Sequence, residues 1–304
     1  MKRIVVAVSL MVVCLAASSG SDACTGIRLA AGDGSIVMAR TFEWAAAPIS
    51  LGYVIVPRRH FFQSSASDGQ NGLIYRALYG YAGIYAQSES YIVEGVNESG
   101  LSAGMFSIPD TSETGPFHKD YASVTICDLQ LVSWVLSQFY LIDQMLDALE
   151  EVSILPTDDD RTVFWRISEP GGRSVILRLE DGTPRCYENP SGLTEDSTGL
   201  RWLSDAPVYG TGDETVLQAF HILNGFDVPI GSRHQTSSVP EGLPSATQFT
   251  SATDQTALKL YYRTAWNSNI RCIALLDIDF RKVRYQSGPL DRVLLQPVEF
   301  LKVR

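Results

Sequence analysis

The sequence predicts an α+β fold. β-prone runs broken by Gly/Asp turns fill both ends of the chain, two helical blocks occupy the middle, and a third helix precedes the last strands. Strands, helices, strands, helix and strands, in that order, depart from regular βαβ alternation. No internal repeat and no low-complexity linker interrupts them.

The chain starts with the three parts of an export signal. Lys2 and Arg3 give a positive start, Ile4 to Ala17 is an apolar run, and "SSGSDA" offers small residues for cleavage just before Cys24. Residues 1–23 therefore read as a signal peptide and 24–304 as one domain. The apolar run falls short of the roughly 20 residues of a membrane span, and no later stretch spans either. An exported product, periplasmic or secreted, is expected.

After the leader, "TGIRLAA", "GDGS" and "IVMAR" read as a hairpin around a Gly/Asp turn. "YVIVPR" (Tyr53–Arg58) is a further strand, followed by "LYGYAGIYA" and "SYIVEGVNESGLSAGMFSIP", the latter turning at Asn97–Gly100. Helical spacing appears in "VTICDLQLVSWVLSQF" and in "LIDQMLDALEEV", where Ile142, Met145, Leu146 and Leu149 share a face. Strands resume in "TVFWRISEPGGRSVILRLEDGTPRCYE". The helix of "DETVLQAFHILNGF" stops at Gly225, with Pro229 beyond. "GSRHQTSSVPEGLPSATQ" reads as a polar surface loop, and "LKLYYRTAWNSNIRCIALLDIDF" as two strands around a polar turn.

The formal charge is −10, and no Lys/Arg block offsets it, which argues against a nucleic-acid partner. Without the leader four cysteines remain: Cys24, Cys127, Cys186 and Cys272. An even number in an oxidising compartment leaves disulfides open. There is no C-x-x-C pair, and His60, His118, His221 and His234 lie far apart, so no metal site is expected.

Cys24 carries the functional question. A cysteine after a cleavage site is a lipid attachment point, half of a disulfide, or a nucleophile. Ser21, Asp22 and Ala23 fit a lipid site poorly, because such a site wants an apolar residue three before the cysteine. As a nucleophile, an N-terminal cysteine brings its own base: an α-amino group has a pKa of about 7.7–8.0, and a nucleophile paired with a terminal amine is an established activation mode. The thiolate needs a nearby positive charge and the amine a carboxylate. The hairpin supplies both in "ARTFEW", as Arg40 and Glu43. Taken alone, those two residues also fit an ordinary surface ion pair, worth little.

These motifs resemble the choloylglycine hydrolase family of N-terminal-nucleophile (Ntn) hydrolases, which includes bile salt hydrolases and penicillin V acylases. Family members start with "C-T-x" and end their first hairpin in "G-R-[NST]-x-D-W"; the corresponding text is "CTGIRLAAGDGSIVMARTFEW". "EGVNESGLSAGMFSIP" is similar to the family's "GxNExGL" strand. "GRSVILRLEDGTPRCYENPSGLT", "AFHILNGFDVP" and "LKLYYRTAWNSNIRCIALLDID" resemble its later segments. The resemblance implies an αββα sandwich of two antiparallel sheets between helical layers, a small-molecule amide substrate and no cofactor. It makes a homotetramer possible.

By the same resemblance Cys24 is the nucleophile, Arg40 supports thiolate and substrate, and Glu43 stands where the family usually has Asp to hold the amine. Ser107 falls where bile salt hydrolases tend to have Asn and penicillin V acylases Tyr, its backbone N–H serving an oxyanion hole. The segment around 193–203 is shorter than the family's. There Glu195 takes the place of an expected Asn, and Arg201 is the candidate for the arginine of the family's "SRF". A glutamate donates no neutral amide N–H to an oxyanion. The resemblance thus leaves open an active amidase, a catalytically impaired relative that binds acyl amides, and an envelope lipoprotein anchored through Cys24.

Two smaller features have ordinary readings. Asn97–Glu98–Ser99 matches a glycosylation sequon and a tight turn equally. Cys127 and the group Trp134, Phe139 and Tyr140 read as packed helix residues.

Overall fold

A computed structural model describes residues 24–45, 49–66, 71–108, 119–157, 162–194, 206–230 and 245–303. In chain order its strands are β1 (Gly26–Ala30), β2 (Ile36–Ala45), β3 (Leu51–Val56), β4 (Phe61–Ser65), β5 (Asn71–Arg76), β6 (Tyr81–Ala86), β7 (Ile92–Asn97) and β8 (Ser102–Ile108). Then follow β9 (Thr125–Cys127), helices α1 (Leu131–Gln138) and α2 (Ile142–Leu149), β10 (Ser153–Leu155), β11 (Thr162–Ser168), β12 (Ser174–Glu180) and β13 (Thr183–Glu188). Helix α3 (Gly212–Leu223) precedes β14 (Ser245–Asp254), β15 (Lys259–Thr264), β16 (Asn267–Ala274) and β17 (Gln286–Pro289).

Two large antiparallel sheets result. One has five strands in the order β1-β2-β14-β15-β16; the other has eight, in the order β13-β12-β11-β8-β7-β6-β3-β17. Helix α3 packs on β1, β2 and β14 of the smaller sheet. Its Val216, Ala219, Phe220 and Leu223 meet Ile27, Leu29, Val37, Ala39 and Ala252, and burying Phe220 alone contributes roughly 2–3 kcal/mol. A capping box starts the helix: Thr211 Oγ1 accepts from the Glu214 N–H, and the Glu214 carboxylate accepts from the Thr211 N–H. Helix α1 covers β7 and β8 of the larger sheet. The opposed inner faces share one core that includes Phe42 and Phe249 of the smaller sheet and Phe106 and Phe164 of the larger. The layers therefore stack α1/α2, eight strands, five strands, α3: the αββα order.

Several sequence expectations change in detail. The stretch read as a polar loop to Gln248 instead enters β14, which lies at the centre of the smaller sheet between β2 and β15. Cys127 lies on the short strand β9 rather than on a helix, because α1 begins only at Leu131. Trp134 and Phe139 are buried as expected, but Tyr140 is exposed. Asn97 is fully buried, and its amide nitrogen donates to the carbonyls of Leu136 (3.0 Å) and Phe139 (2.7 Å). That geometry answers the sequon question: Asn97 ties the β7–β8 turn to the end of α1. Its neighbour Glu98 pairs with Arg58 at 2.7 Å. Among the described residues, no helix is long and apolar enough to cross a membrane.

Candidate active site

The site grows from the β1–β2 hairpin. Gly26 lies opposite Arg40, and the Thr41 N–H donates to the Thr25 carbonyl at 2.9 Å, so the strand entered at Cys24 runs beside Thr41–Glu43. Side chains alternate between the faces of a strand. Phe42 belongs to the inter-sheet core, whereas Val37 and Ala39 face α3. Arg40 therefore points between the sheets and Glu43 away from it. The two side chains do not form the surface pair that sequence alone allowed; both are buried.

Cys24 is 2% exposed and joins Phe42 in the inter-sheet core. Its Sγ lies 3.8 Å from the Glu43 carbonyl oxygen. The outer edge of its strand is covered by Thr194. There the Thr194 hydroxyl donates to the Cys24 carbonyl at 3.3 Å, and the Thr194 N–H to the Gly26 carbonyl at 3.2 Å.

Arg40 is wholly buried and spans the sandwich. The ladder between β7 and β8 stops at Glu94↔Gly104. The next carbonyls, of Val93 and Met105, both accept from Arg40 Nη1, the former at 3.0 Å. The guanidinium thus fills the gap where two strands part, satisfying carbonyls that would otherwise be orphaned. Its Nε donates to its neighbour's carbonyl, Thr41 O, at 3.1 Å.

Two charged residues that the sequence reading missed complete this layer. Glu94 of β7 is 2% exposed and stands 3.8 Å from Arg40 Nη1. Arg166 of β11, also buried, reaches the opposite way, donating to the carbonyls of Ile27 (3.3 Å), Ala39 (3.4 Å) and Gly192 (3.3 Å). The Phe106 ring centroid lies 3.9 Å from Arg40 Cζ and 5.2 Å from Arg166 Cζ. Glycines make the room: a Cβ at residue 26 would sit 2.5 Å from Arg166 Nη1, and one at residue 104 would collide with Glu94 Oε2. The glycine of "CTG" is therefore a packing requirement. Burial raises the Glu94 carboxyl, against the pull of Arg166 and Arg40, and lowers Arg166 to about 10.

On the other face, Glu43 Oε1 accepts from Thr247 Oγ1 of β14 at 3.0 Å. Its Oε2 is buried without a hydrogen-bond partner among the described residues. Burial pushes this carboxyl up to about 7, with Thr41, Arg40 and Thr247 pulling weakly the other way. Thr41 Oγ1 also accepts the Thr25 N–H at 3.3 Å, so a short polar relay links the residue after Cys24 to the strand of Glu43.

Of the five expected site residues, the structure brings Cys24, Arg40 and Glu43 onto one hairpin. Ser107 lies in β8 opposite Val163, two residues beyond Met105, whose carbonyl Arg40 holds. Arg201, like Glu195, lies outside the described residues. Cys127, Cys186 and Cys272 form no disulfide. Among the described residues no three His, Cys, Asp or Glu side chains converge on a point that would hold a metal.

A model of the linear amide C–N hydrolases, choloylglycine hydrolase family, matches residues 24–206. The chain belongs to the choloylglycine hydrolase family. The bile salt hydrolase/transferase of Clostridium perfringens is 22% identical over 185 residues, 59% of this chain. The chain spans about half of that curated relative, 55% of its length. A penicillin V acylase structure from Agrobacterium tumefaciens superposes with a TM-score of 0.70 at 16% identity, covering 88% of this chain and 91% of that one. A mutant conjugated bile acid hydrolase from Clostridium perfringens gives 0.69 at 18% identity, covering 92% and 100%. At such identities the likeness establishes the family's Ntn-hydrolase fold, which is the αββα order built above from the sheets.

Proposed function

We propose that this chain is an exported amidase that opens linear, non-peptide C–N bonds with Cys24 as nucleophile. The observation that carries the reading is the placement of the Cys24 thiol between the sheets, on the strand paired with Arg40 and next to Glu43. Removal of residues 1–23 gives the same residue a free amine with a pKa near neutrality, about 7.7–8.0. The amine takes the thiol proton and the thiolate attacks the amide carbonyl carbon. The tetrahedral intermediate then collapses to a thioester as the leaving amine receives that proton from the α-ammonium and the C–N bond breaks. Water, deprotonated by the same amine, attacks the thioester and releases the acid.

Arg40 contributes fixed positive charge to the inter-sheet layer, and Glu43 is the carboxylate available to hold the ammonium. The backbone N–H of Ser107 is the candidate oxyanion donor, and Arg201 is the candidate for the arginine of the family's "SRF". The substrate is an acyl amide of the bile salt, penicillin V or N-acyl homoserine lactone type. The test is turnover of that panel by the protein beginning at Cys24 and by its Cys24→Ala variant. Hydrolysis by the first alone supports the reading, whereas equal hydrolysis by both refutes it. Binding by calorimetry with no product after long incubation makes the chain an acyl-amide-binding relative instead.

A further inference from the structure

Arg166 and Glu94 are buried, ionisable, and given no step in the reaction above. In the buried layer between the sheets, Arg40 of β2 stands 3.8 Å from the Glu94 carboxylate, and Arg166 of β11 acts on the same carboxylate electrostatically. The register makes the sharing direct. Gly104 of β8 lies opposite both Glu94 and Arg166, so the two side chains are neighbours across a residue that has none.

Arg166 also bonds the carbonyls of Ile27 and Gly192 and occupies the space a Cβ of Gly26 would fill. It therefore braces β1 three residues from Cys24. We propose that Arg166 is a positioning residue for the Cys24 thiol: by sharing Glu94 it leaves the positive charge of Arg40 uncancelled beside the strand that carries Cys24. This rests on the nucleophile reading of Cys24.

The charged groups that bear on the thiol, by element, are few among the described residues. β2 brings Arg40 from the same face and Glu43 from the other, β7 brings Glu94, and β11 brings Arg166. On β1 itself Arg28 turns to the Pro190 carbonyl at 3.3 Å. A free Cys24 amine adds a cation common to every variant. The sign of each change follows: without Arg166, Glu94 neutralises Arg40 and the thiolate is disfavoured; without Glu94, both cations act and the thiolate is favoured.

The experiment follows thiolate ultraviolet absorbance against pH, taken for each protein as the difference from the same protein carrying Cys24→Ser, so that no reagent has to reach the buried sulfur. Arg166→Met is expected to raise the midpoint by about one pH unit and Glu94→Gln to lower it by a similar amount. The double variant should return near the parent value, and Arg166→Lys should keep it. A brace that acts only mechanically predicts no rescue in the double variant. Single variants that move the midpoint the same way, a double variant no better than Arg166→Met, or no movement at all overturn the proposal. Should Arg166→Met fail to fold, Glu94→Gln and the double variant still decide the sign. The nucleophile reading fails separately, through turnover by Cys24→Ala, which this titration does not touch.

Discussion

Replacing Glu43 by Gln should make the protein's stability less sensitive to pH, and by a calculable amount. The carboxyl titrates near 4.5 when unfolded and near 7 when folded, because burial disfavours its charged form. Between those values the folded state holds a proton that the unfolded state has released. Stability is therefore full below the unfolded value and is lost as pH rises through the folded one. At 6% exposure the side chain gains little from solvent screening, so the shift carries over almost whole. Integrated from about pH 5 to about pH 8, it removes about 2.5 kcal/mol. Gln keeps the acceptor for Thr247 and removes the titration. The assay is urea unfolding of both proteins, with residues 1–23 attached, at the two pH values. Glu43→Gln should gain about 2.5 kcal/mol on the parent in going from the lower to the higher pH. A difference independent of pH refutes the assignment of a buried, protonated Glu43. In the protein beginning at Cys24, an ammonium near this carboxylate should flatten the parent's slope.

Two further substitutions test the packing around the site. Gly26→Ala places a Cβ 2.5 Å from Arg166 Nη1 and 2.8 Å from Thr194 Oγ1; overpacking of this kind should cost about 1–3 kcal/mol in urea unfolding, and unchanged stability would show that Arg166 can move aside. Asn97→Ala removes the donor to Leu136 and Phe139 and the acceptor for the N–H groups of Ser99 and Leu101. It should cost about 3 kcal/mol, with early amide exchange at the end of α1, and protection equal to the parent's would contradict its role as a tie.

What could be read from the sequence was what burial makes periodic. The β1–β2 hairpin, the buried side of α2 at Ile142, Met145 and Leu149, and helix α3 all announce themselves by apolar spacing. β14 does not. Its Thr247, Gln248, Thr250, Ser251, Thr253 and Asp254 are polar, yet each is 7% exposed or less, so polarity hides a central strand whose start, up to Gln248, falls in the stretch read as a loop. β9 was hidden differently, as three residues inside a run with helical spacing. Cys24, Arg40 and Glu43 were visible through motif order. Arg166 and Glu94 were not, because a charge in a strand is ordinarily assigned to water. Alternation held the clue: Arg166 has the same parity as Phe164, a buried core residue. The glycines opposite them were a second one, since each vacates space for a charged side chain.

The partnership of β2 with β14 also orders events in time. Glu43 and Thr247 bond across 204 positions of chain, and β14 is the strand that joins the Cys24 hairpin to the rest of its sheet. While the protein is being made, β2 has an open side until residues near 254 emerge. Contacts so distant in sequence form late, because their loop-closure entropy must be met first. The far side of the hairpin, with the Thr247 bond to Glu43, therefore closes only near the end of synthesis. An incomplete chain carries Cys24 without its surroundings, and the buried setting of the thiol arrives together with the finished sandwich.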